Sequence, residues 1–271
     1  MRVHHLNCAT MCPASARLVN GEGSLVASGR LVAHCLLVER ADGLVLVDTG
    51  FGLDDVRHKW RRLGALVPLL RPRLDERETA IRQVEGLGFR AADVRHVVVT
   101  HLDPDHAGGL ADFPSAEVHV LGAELDAARA PRTLAERARY RRIAWRHNPR
   151  WVRHAEGGER WLGFEAVRAL EDDDALLMIP LAGHSRGHTG VAVRADAGWL
   201  LHCGDAYFFH GEVETPPRST PGLRAIQFLD DADHDARRAN QARLRALRSA
   251  HPEVRLFCSH DPHEFDDARA D

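Results

Sequence analysis

The chain has 271 residues and a formal net charge of −3, so no excess positive charge attracts nucleic acid or anionic membranes. No stretch approaches the roughly 20 consecutive apolar residues of a membrane-spanning helix, and the N-terminus lacks the apolar core of a signal peptide. We therefore predict a cytoplasmic protein that binds neither nucleic acid nor membrane. The five cysteines are scattered and odd in number, which does not suit a disulfide framework.

The first predicted element is a β-hairpin, with strands at 31–38 and 44–47 joined by the turn at 41–43. Its second strand ends in Asp48, whose carboxylate could cap the next turn or hydrogen-bond a metal-bound histidine. Helical spacing follows at 54–63 and 75–87, and Gly88 suits the C-terminal end of the second helix.

The next segment, 94–109, contains a dense group of potential metal ligands. It begins with the β-branched run Val97-Val98-Val99, which is typical of a buried strand. Four potential metal ligands follow within six residues, and they are His101, Asp103, Asp105 and His106. A strand that ends in imidazoles and carboxylates predicts a metal site on a rigid support.

A strand at 116–121 and a helix at about 122–129 come next, and an arginine-rich, partly helical segment then extends to Arg153. A solvated helix face explains these arginines. The alternative is a basic lid that favours an anionic substrate.

The last third of the chain repeats the pattern of strands that end in ligands. A strand at 174–181 leads to His184, a hairpin of 191–194 and 199–203 leads to Asp205, and a strand at 254–258 leads to His260. Between them we expect a loop at 207–222 and a helix at 233–250. Because no linker or repeat divides the chain, we predict a single domain over 1–271, with a helical Arg-rich insertion at about 129–153.

Strand ends on one edge of a sheet can converge however far apart they lie in sequence. Two divalent ions that share a bridging carboxylate need about six or seven protein ligands, which is the number that these strand ends offer. Imidazole combined with carboxylate suits zinc, iron or manganese, and no thiolate is required.

These motifs resemble the metallo-β-lactamase superfamily of metal-dependent hydrolases. The resemblance rests on Thr-His-x-x-x-Asp-His-Ala-Gly-Gly at 100–109, Gly-His-Ser-x-Gly-His at 183–188, Gly-Asp at 204–205, Ser-His at 259–260 and the strand motif at 44–50. It extends from about residue 30 to 262 and is most similar to the acyl-homoserine lactone lactonases. It implies an αββα sandwich, with two mixed β-sheets face to face, helices outside and metals at one edge.

The resemblance also implies a ligand set. It assigns His101 and His184 to one ion, Asp105, His106 and His260 to a second, and Asp205 to a bridge between them. His188 would support the site without binding metal.

Asp103 departs from the family, which has histidine at this position. A carboxylate adds negative charge and tilts the preference toward iron or manganese, and its shorter side chain could leave the first position weak or empty. We expect two divalent ions, with zinc as the first choice and iron or manganese as alternatives. One ion is the alternative count.

The activity that the resemblance implies is hydrolysis of a small ester, a lactone first, by attack of a metal-bound hydroxide on the carbonyl. Asp105 would orient the hydroxide and move its proton to the leaving group. Tyr207 could donate a hydrogen bond to the oxyanion, and core packing explains it equally well. The lactonases have their tyrosine three residues after the bridging aspartate, whereas Tyr207 follows Asp205 by two.

Other activities remain open. A thioester, a β-lactam or another amide is the alternative substrate for a hydrolase. An iron-dependent oxidoreductase is the alternative from another class, suggested by Asp103 and weakened by the absence of an appended flavin domain. The expected partner is a small-molecule substrate, and a homodimer is an option for the assembly.

Overall fold

Two six-stranded β-sheets pack face to face and helices flank them, as the computed structural model shows for residues 1–170 and 173–270. This architecture is the predicted αββα sandwich.

The first sheet takes its six strands in chain order. They are β1 (Val3–Met11), β2 (Leu31–Arg40), β3 (Gly43–Val47), β4 (Val94–Val98), β5 (Glu117–Leu121) and β6 (Arg150–His154). Strand β2 is antiparallel to both β1 and β3, and β3 to β6 are parallel. In β3, β4 and β5 the carboxyl ends therefore lie at one edge.

The second sheet has the order β12-β11-β10-β9-β8-β7. Its strands are β7 (Glu159–Trp161), β8 (Phe164–Leu170), β9 (Asp173–Pro180), β10 (Thr189–Ala195), β11 (Gly198–His202) and β12 (Val254–Phe257). Neighbours are antiparallel except for β11 and β12, which are parallel. Because β9 has the same direction as β11 and β12, these three strands also end at one edge.

Most helices are short. They are α1 (Ala16–Val19), α2 (Leu53–Arg57), α3 (Lys59–Arg62), α4 (Leu66–Leu70), α5 (Ala80–Gly86), α6 (Pro104–Ala107), α7 (Gly122–Arg129), α8 (Leu134–Arg139), α9 (Pro221–Asp230), α10 (His234–Ala250) and α11 (Pro262–Ala270). Single turns of 3-10 helix occupy Glu76–Glu78, Ala91–Asp93, Gly108–Asp112, Arg142–Trp145 and His210–Val213. Within the described ranges, no helix is both long and apolar enough to cross a bilayer.

Alternation along the strands builds the core. Val98 packs between the sheets against residues of the second sheet such as Met178, whereas Val97 points outward to the layer that includes Val84 of α5. On the far side of the second sheet, Leu244 of α10 packs beside Leu256. The strands are therefore fixed on both faces, which gives the loops at their carboxyl ends a rigid base.

Three of the predicted segments differ from the structure. The helix expected at 54–63 is divided at His58, whose backbone leaves the helical region, and the one expected at 75–87 becomes a 3-10 turn followed by α5. The loop expected at 207–222 contains a 3-10 turn, and α9 begins at its end. Pro221 occupies the first turn of α9, where a proline needs no amide hydrogen.

Candidate metal centre

The seven predicted ligands converge at the carboxyl ends of the strands. One group consists of His101, His184 and Asp205, and a second consists of Asp105, His106 and His260. Within each group, one potential ligand atom from each residue lies within 4.8 Å of the others. Asp103 lies beside the first group, with Oδ2 at 3.4 Å from His101 Nε2 and 3.2 Å from His184 Nε2.

Asp205 faces both groups. Its Oδ2 atom lies 3.2 Å from His260 Nε2 and 3.5 Å from His184 Nε2, and its Oδ1 atom lies 3.4 Å from His106 Nε2. Donors bound tetrahedrally to zinc at 2.0–2.2 Å are separated by about 3.3–3.6 Å. The spacing of these atoms therefore suits a shared first coordination shell, with Asp205 in the bridging position.

Buried polar atoms without partners indicate what the cluster lacks. Among the described residues, His101 Nε2, His106 Nε2 and Asp205 Oδ1 are buried and make no hydrogen bond, and so is Asp103 Oδ1. Buried polar groups are nearly always satisfied in folded proteins. Because these atoms are electron-pair donors that face one another, a divalent cation fits this centre.

Hydrogen bonds on the far side of the imidazoles fix their orientation. Asp48 Oδ2 accepts from His106 Nδ1 at 2.8 Å, and His260 Nδ1 donates to the carbonyl of Val32 at 2.7 Å. The Thr100 hydroxyl gives its proton to Asp48, so it accepts from His101 Nδ1 at 2.9 Å. All three histidines therefore turn an Nε2 lone pair toward the centre, the arrangement that metal-binding histidines require.

His188 hydrogen-bonds the backbone of Asp205, the residue expected to bridge the two ions. Its Nδ1 atom donates to the carbonyl of Leu181 at 3.0 Å, and its Nε2 atom accepts from the backbone amide of Asp205 at 2.8 Å. Both ring nitrogens are therefore engaged, and His188 positions Asp205 without facing the centre.

Glu124, in the first turn of α7, joins the two loops that supply ligands. Its carboxylate accepts from the Leu102 amide at 3.0 Å, from the Ser185 hydroxyl at 2.7 Å and from the Gly187 amide at 3.1 Å. Gly187 approaches the helix so closely that a β-carbon there would collide with the backbone of Glu124. Sequence reasoning missed Glu124, because an acid in the first turn of a helix is common for other reasons.

Arg139, the last residue of α8, was also missed as a part of the centre. Its Nη1 atom lies 2.8 Å from His184 Nε2 and 3.1 Å from Asp103 Oδ2, and its Nη2 atom pairs with Asp230 at 2.8 Å. Nearby arginines such as Arg137 and Arg142 are exposed, as a solvated face predicts, whereas Arg139 is buried. No local signal distinguishes it, since the neighbouring sequence is equally rich in arginine.

The two groups differ in their electrostatics. Burial opposes protonation of His106, but Asp205 and Asp48 raise its pKa well above the ordinary value. Asp205 likewise raises the pKa of His260 against the effect of burial. Burial and the Arg139 guanidinium instead lower the pKa of His184 well below its usual range. The neighbouring carboxylates therefore outweigh the effect of burial on the pKa at His106 and His260, but not at His184.

The sequence model for this fold agrees with the geometry. Residues 28–260 match the model of the metallo-beta-lactamase superfamily.

The chain belongs to the metallo-β-lactamase superfamily.

Relatives with assigned names confirm a metal-dependent hydrolase. A probable metallo-hydrolase of Mycobacterium tuberculosis is 44% identical over 271 residues, which covers 99% of this chain and 83% of that protein. An N-acyl homoserine lactonase, AttM, of Rhizobium johnstonii is 30% identical over 161 residues, or 58% of each chain.

Solved structures show the same fold at low identity. An N-acyl homoserine lactone hydrolase with the product N-hexanoyl-L-homoserine bound superimposes with a TM-score of 0.71 at 18% identity, covering 98% of this chain and 95% of that one. A dizinc quorum-quenching lactonase, AidC, has a TM-score of 0.60 at 17% identity, with 96% and 87% covered. The predicted superfamily and fold are confirmed.

Tyr207 does not join the ligands of this superfamily member. Its side chain is fully buried in the core beside α10, and its hydroxyl donates to Glu264 at 3.0 Å. This placement is the core-packing alternative, and it leaves the hydroxyl bonded away from the centre. The aromatic residue that does contact the ligands is Phe208, whose ring lies edge-on to His184 and His260 at centroid distances of 5.9 and 5.2 Å.

Proposed function

We propose that this metallo-hydrolase opens a lactone ring by hydrolysis. The observation behind the proposal is the cluster of buried, oriented and unpartnered donor atoms around Asp205. Support for the substrate class comes from the relatives, since AttM is named an N-acyl homoserine lactonase and a superimposable structure holds an N-acyl homoserine product. The coarser assignment, a metal-dependent hydrolase, does not depend on the choice of ester.

The residues that would hold a divalent ion are Asp105, His106, His260 and Asp205. An ion bound there would polarise a carbonyl oxygen and lower the pKa of a bound water to about 7. Zinc is the first choice for two imidazoles and two carboxylates, with manganese and iron as alternatives. A second ion beside His101 and His184 belongs to the sequence-based expectation, and there it would meet the Arg139 guanidinium.

Asp105 is the proposed proton carrier. It follows Asp103 at the start of α6, is partly exposed, and has Oδ2 at 3.6 Å from His260 Nε2. From this position its carboxylate would take a proton as the nucleophilic water attacks and would deliver it to the ring oxygen that leaves as an alcohol. We assign the proton transfer to Asp105 and the placement of the bridging carboxylate, Asp205, to His188.

The position of Asp103 helps to choose between hydrolysis and redox chemistry. The oxidoreductase hypothesis depended on this carboxylate as an additional hard ligand, but Asp103 Oδ2 forms an ion pair with Arg139. Hydrolysis is therefore favoured over redox chemistry. Thioesters and β-lactams remain the competing substrates, because an ion that polarises an ester carbonyl also polarises these. A small-molecule substrate, a cytoplasmic location and a homodimer remain proposals.

A substrate panel tests the function. The enzyme, loaded separately with zinc, manganese and iron, is assayed against N-acyl homoserine lactones of several chain lengths, simple γ- and δ-lactones, acyl thioesters and β-lactams, with proton release followed at constant pH. We expect the highest kcat/KM for a lactone, and loss of that activity in Asp105→Asn. A preference for thioesters or β-lactams, or activity confined to redox donors under oxygen, would overturn the proposal.

A further inference from the structure

Arg139 is a fixed positive charge inside the ligand cluster. Its side chain is 6% exposed, and its guanidinium bonds two predicted ligands, His184 and Asp103, on one side and Asp230 on the other. Arginine is always protonated in proteins. A full unit of positive charge therefore lies where the resemblance to lactonases predicts a divalent ion.

The contact between Arg139 and His184 excludes coordination by the same nitrogen. A guanidinium N–H can only donate, so at 2.8 Å it uses the Nε2 lone pair of His184. An imidazole nitrogen has one in-plane lone pair, and this pair cannot accept a hydrogen bond and bind a cation at the same time. The half of the cluster with His101 and His184 therefore loses one of its ligands.

The position of Arg139 is supported by the surrounding structure. Helix α8 begins with a capping box in which Thr133 and Glu136 satisfy each other's backbone amides, and Glu136 also pairs with Arg186 at 2.7 Å. At the other end, the guanidinium bonds both the carboxylate and the carbonyl of Asp230 at the end of α9. Two helices thus hold the guanidinium against the ligands.

The donors that remain beside Arg139 form an incomplete site for a second ion. Two donors beside Arg139 remain open, His101 Nε2 and Asp103 Oδ1. A second divalent ion held by these atoms would lack His184 and would be repelled by the guanidinium.

We propose that the Arg139 guanidinium takes the place of a divalent ion beside His184, so that the chain retains one ion, held by Asp105, His106, His260 and Asp205. Asp103 and Arg139 then form a pair in which a carboxylate binds a guanidinium instead of a metal. The catalytic consequence, a one-ion enzyme with a built-in second cation, rests on the proposed function. The number of ions does not depend on it.

Metal content of purified variants tests the proposal. Each protein is equilibrated with zinc, desalted and analysed by inductively coupled plasma mass spectrometry against protein concentration. We expect one ion per chain in the wild type and in His184→Ala, and none in His260→Ala. Of these two histidines, His260 is a ligand of the retained ion and His184 is not. Two ions in the wild type, or equal loss in the two histidine variants, would overturn the proposal.

Removal of the guanidinium gives the complementary result. Arg139→Ala should rise from one ion to two, since His184 Nε2 becomes free, whereas Arg139→Lys should stay at one because it keeps the charge. Arg142→Ala is the matched control, an exposed arginine of the same segment, and should stay at one ion. A count of one in Arg139→Ala, or a count of two in Arg142→Ala, would contradict the proposal.

Misfolding of a variant and failure of the proposed function can both be distinguished from failure of this proposal. If Arg139→Ala fails to fold, the His184→Ala and His260→Ala pair decides the question with Arg139 intact. If the counts follow the expected pattern but no lactone is hydrolysed in the substrate panel, the proposed function fails while the role of Arg139 stands.

Discussion

Two of the histidine clusters to which the first sheet contributes differ in character, and of these two the one beyond the strand ends resembles a metal site. The metal centre lies beyond the strand ends, whereas His96, His119 and His154 form a ladder across β4, β5 and β6. In the ladder, His96 Nδ1 lies 3.0 Å from His119 Nε2, and His119 Nδ1 lies 3.0 Å from His154 Nε2. His96, Glu117 and His119 are also close enough to hold an ion.

The difference between the clusters lies in the partners of their donor atoms. Ladder imidazoles bond to one another, so their facing nitrogens are satisfied. In the metal centre, the Val32 carbonyl, Asp48 and Thr100 occupy the outer nitrogens of three histidines. The inner Nε2 atoms of His101 and His106 are buried and make no hydrogen bond. Proximity of histidines is therefore a weak indicator of a metal site, and oriented donors without partners are a stronger one.

The largest expected contrast compares two buried histidines, one from each cluster. His106→Ala should abolish metal retention and lower turnover about a thousand-fold or more, because a catalytic ion supplies several kcal/mol of transition-state stabilisation. His119→Ala should leave the zinc content unchanged. Metal analysis and turnover, measured on both proteins side by side, check the contrast, and zinc loss in His119→Ala would give the ladder a metal-binding role.

A smaller effect is expected for the residue that orients His106. Asp48 has a backbone φ of 58°, a left-handed conformation that is rare for residues other than glycine, and its carboxylate accepts from both His106 and Thr100. Asp48→Asn should weaken zinc affinity about 10- to 100-fold, the usual range for such outer partners. Competition with a chelator measures it, with the exposed Asp42→Asn as the control. Equal affinities would show that His106 needs no orienting carboxylate.

The ligands of the centre could be predicted from the sequence because short motifs place them directly after strands. His101 and His106 follow β4, and His184, Asp205 and His260 follow β9, β11 and β12. Parallel strand directions then bring distant parts of the chain to one edge. Local pattern and topology agree here, which makes the inference strong.

Arg139 and Glu124 could not be predicted because their roles depend on packing between elements. The sequence around Arg139 predicts an exposed basic segment. The guanidinium of Arg139 is buried because α8 packs against α9. Strand β1 was missed for a similar reason, since it is defined by pairing with β2 more than by its own composition. The direction of Tyr207 depends on how the chain turns after β11, which strand periodicity does not determine.

A pH experiment distinguishes the ladder further from the metal centre. Burial and the neighbouring His154 and His96 lower the pKa of His119 to about 3 in the folded protein, below the 6.5 of an unfolded chain. Below pH 6.5 the unfolded state therefore binds the extra proton, and folding stability falls as the pH is lowered toward 3. His119→Gln should reduce this loss by up to about 1.4 kcal/mol per pH unit, as measured by urea unfolding between pH 7 and 5. Parallel curves for the two proteins would contradict the lowered pKa.

The smallest effect on catalysis is expected for substitution of Tyr207. Like the imidazoles of the ladder, its hydroxyl already has a hydrogen-bond partner, whereas His101 Nε2 and His106 Nε2 in the metal centre have none. Tyr207→Phe removes the hydrogen bond to Glu264, whose buried carboxyl group keeps the Cys258 amide as a donor. Unfolding free energy should fall by about 1 kcal/mol, while metal content and kcat on a hydrolysed ester stay within twofold of wild type. A large drop in kcat at unchanged metal content and stability would instead return Tyr207 to the role of an oxyanion donor. In that case the side chain must leave the core when substrate binds, since its hydroxyl is turned toward Glu264 in the structure.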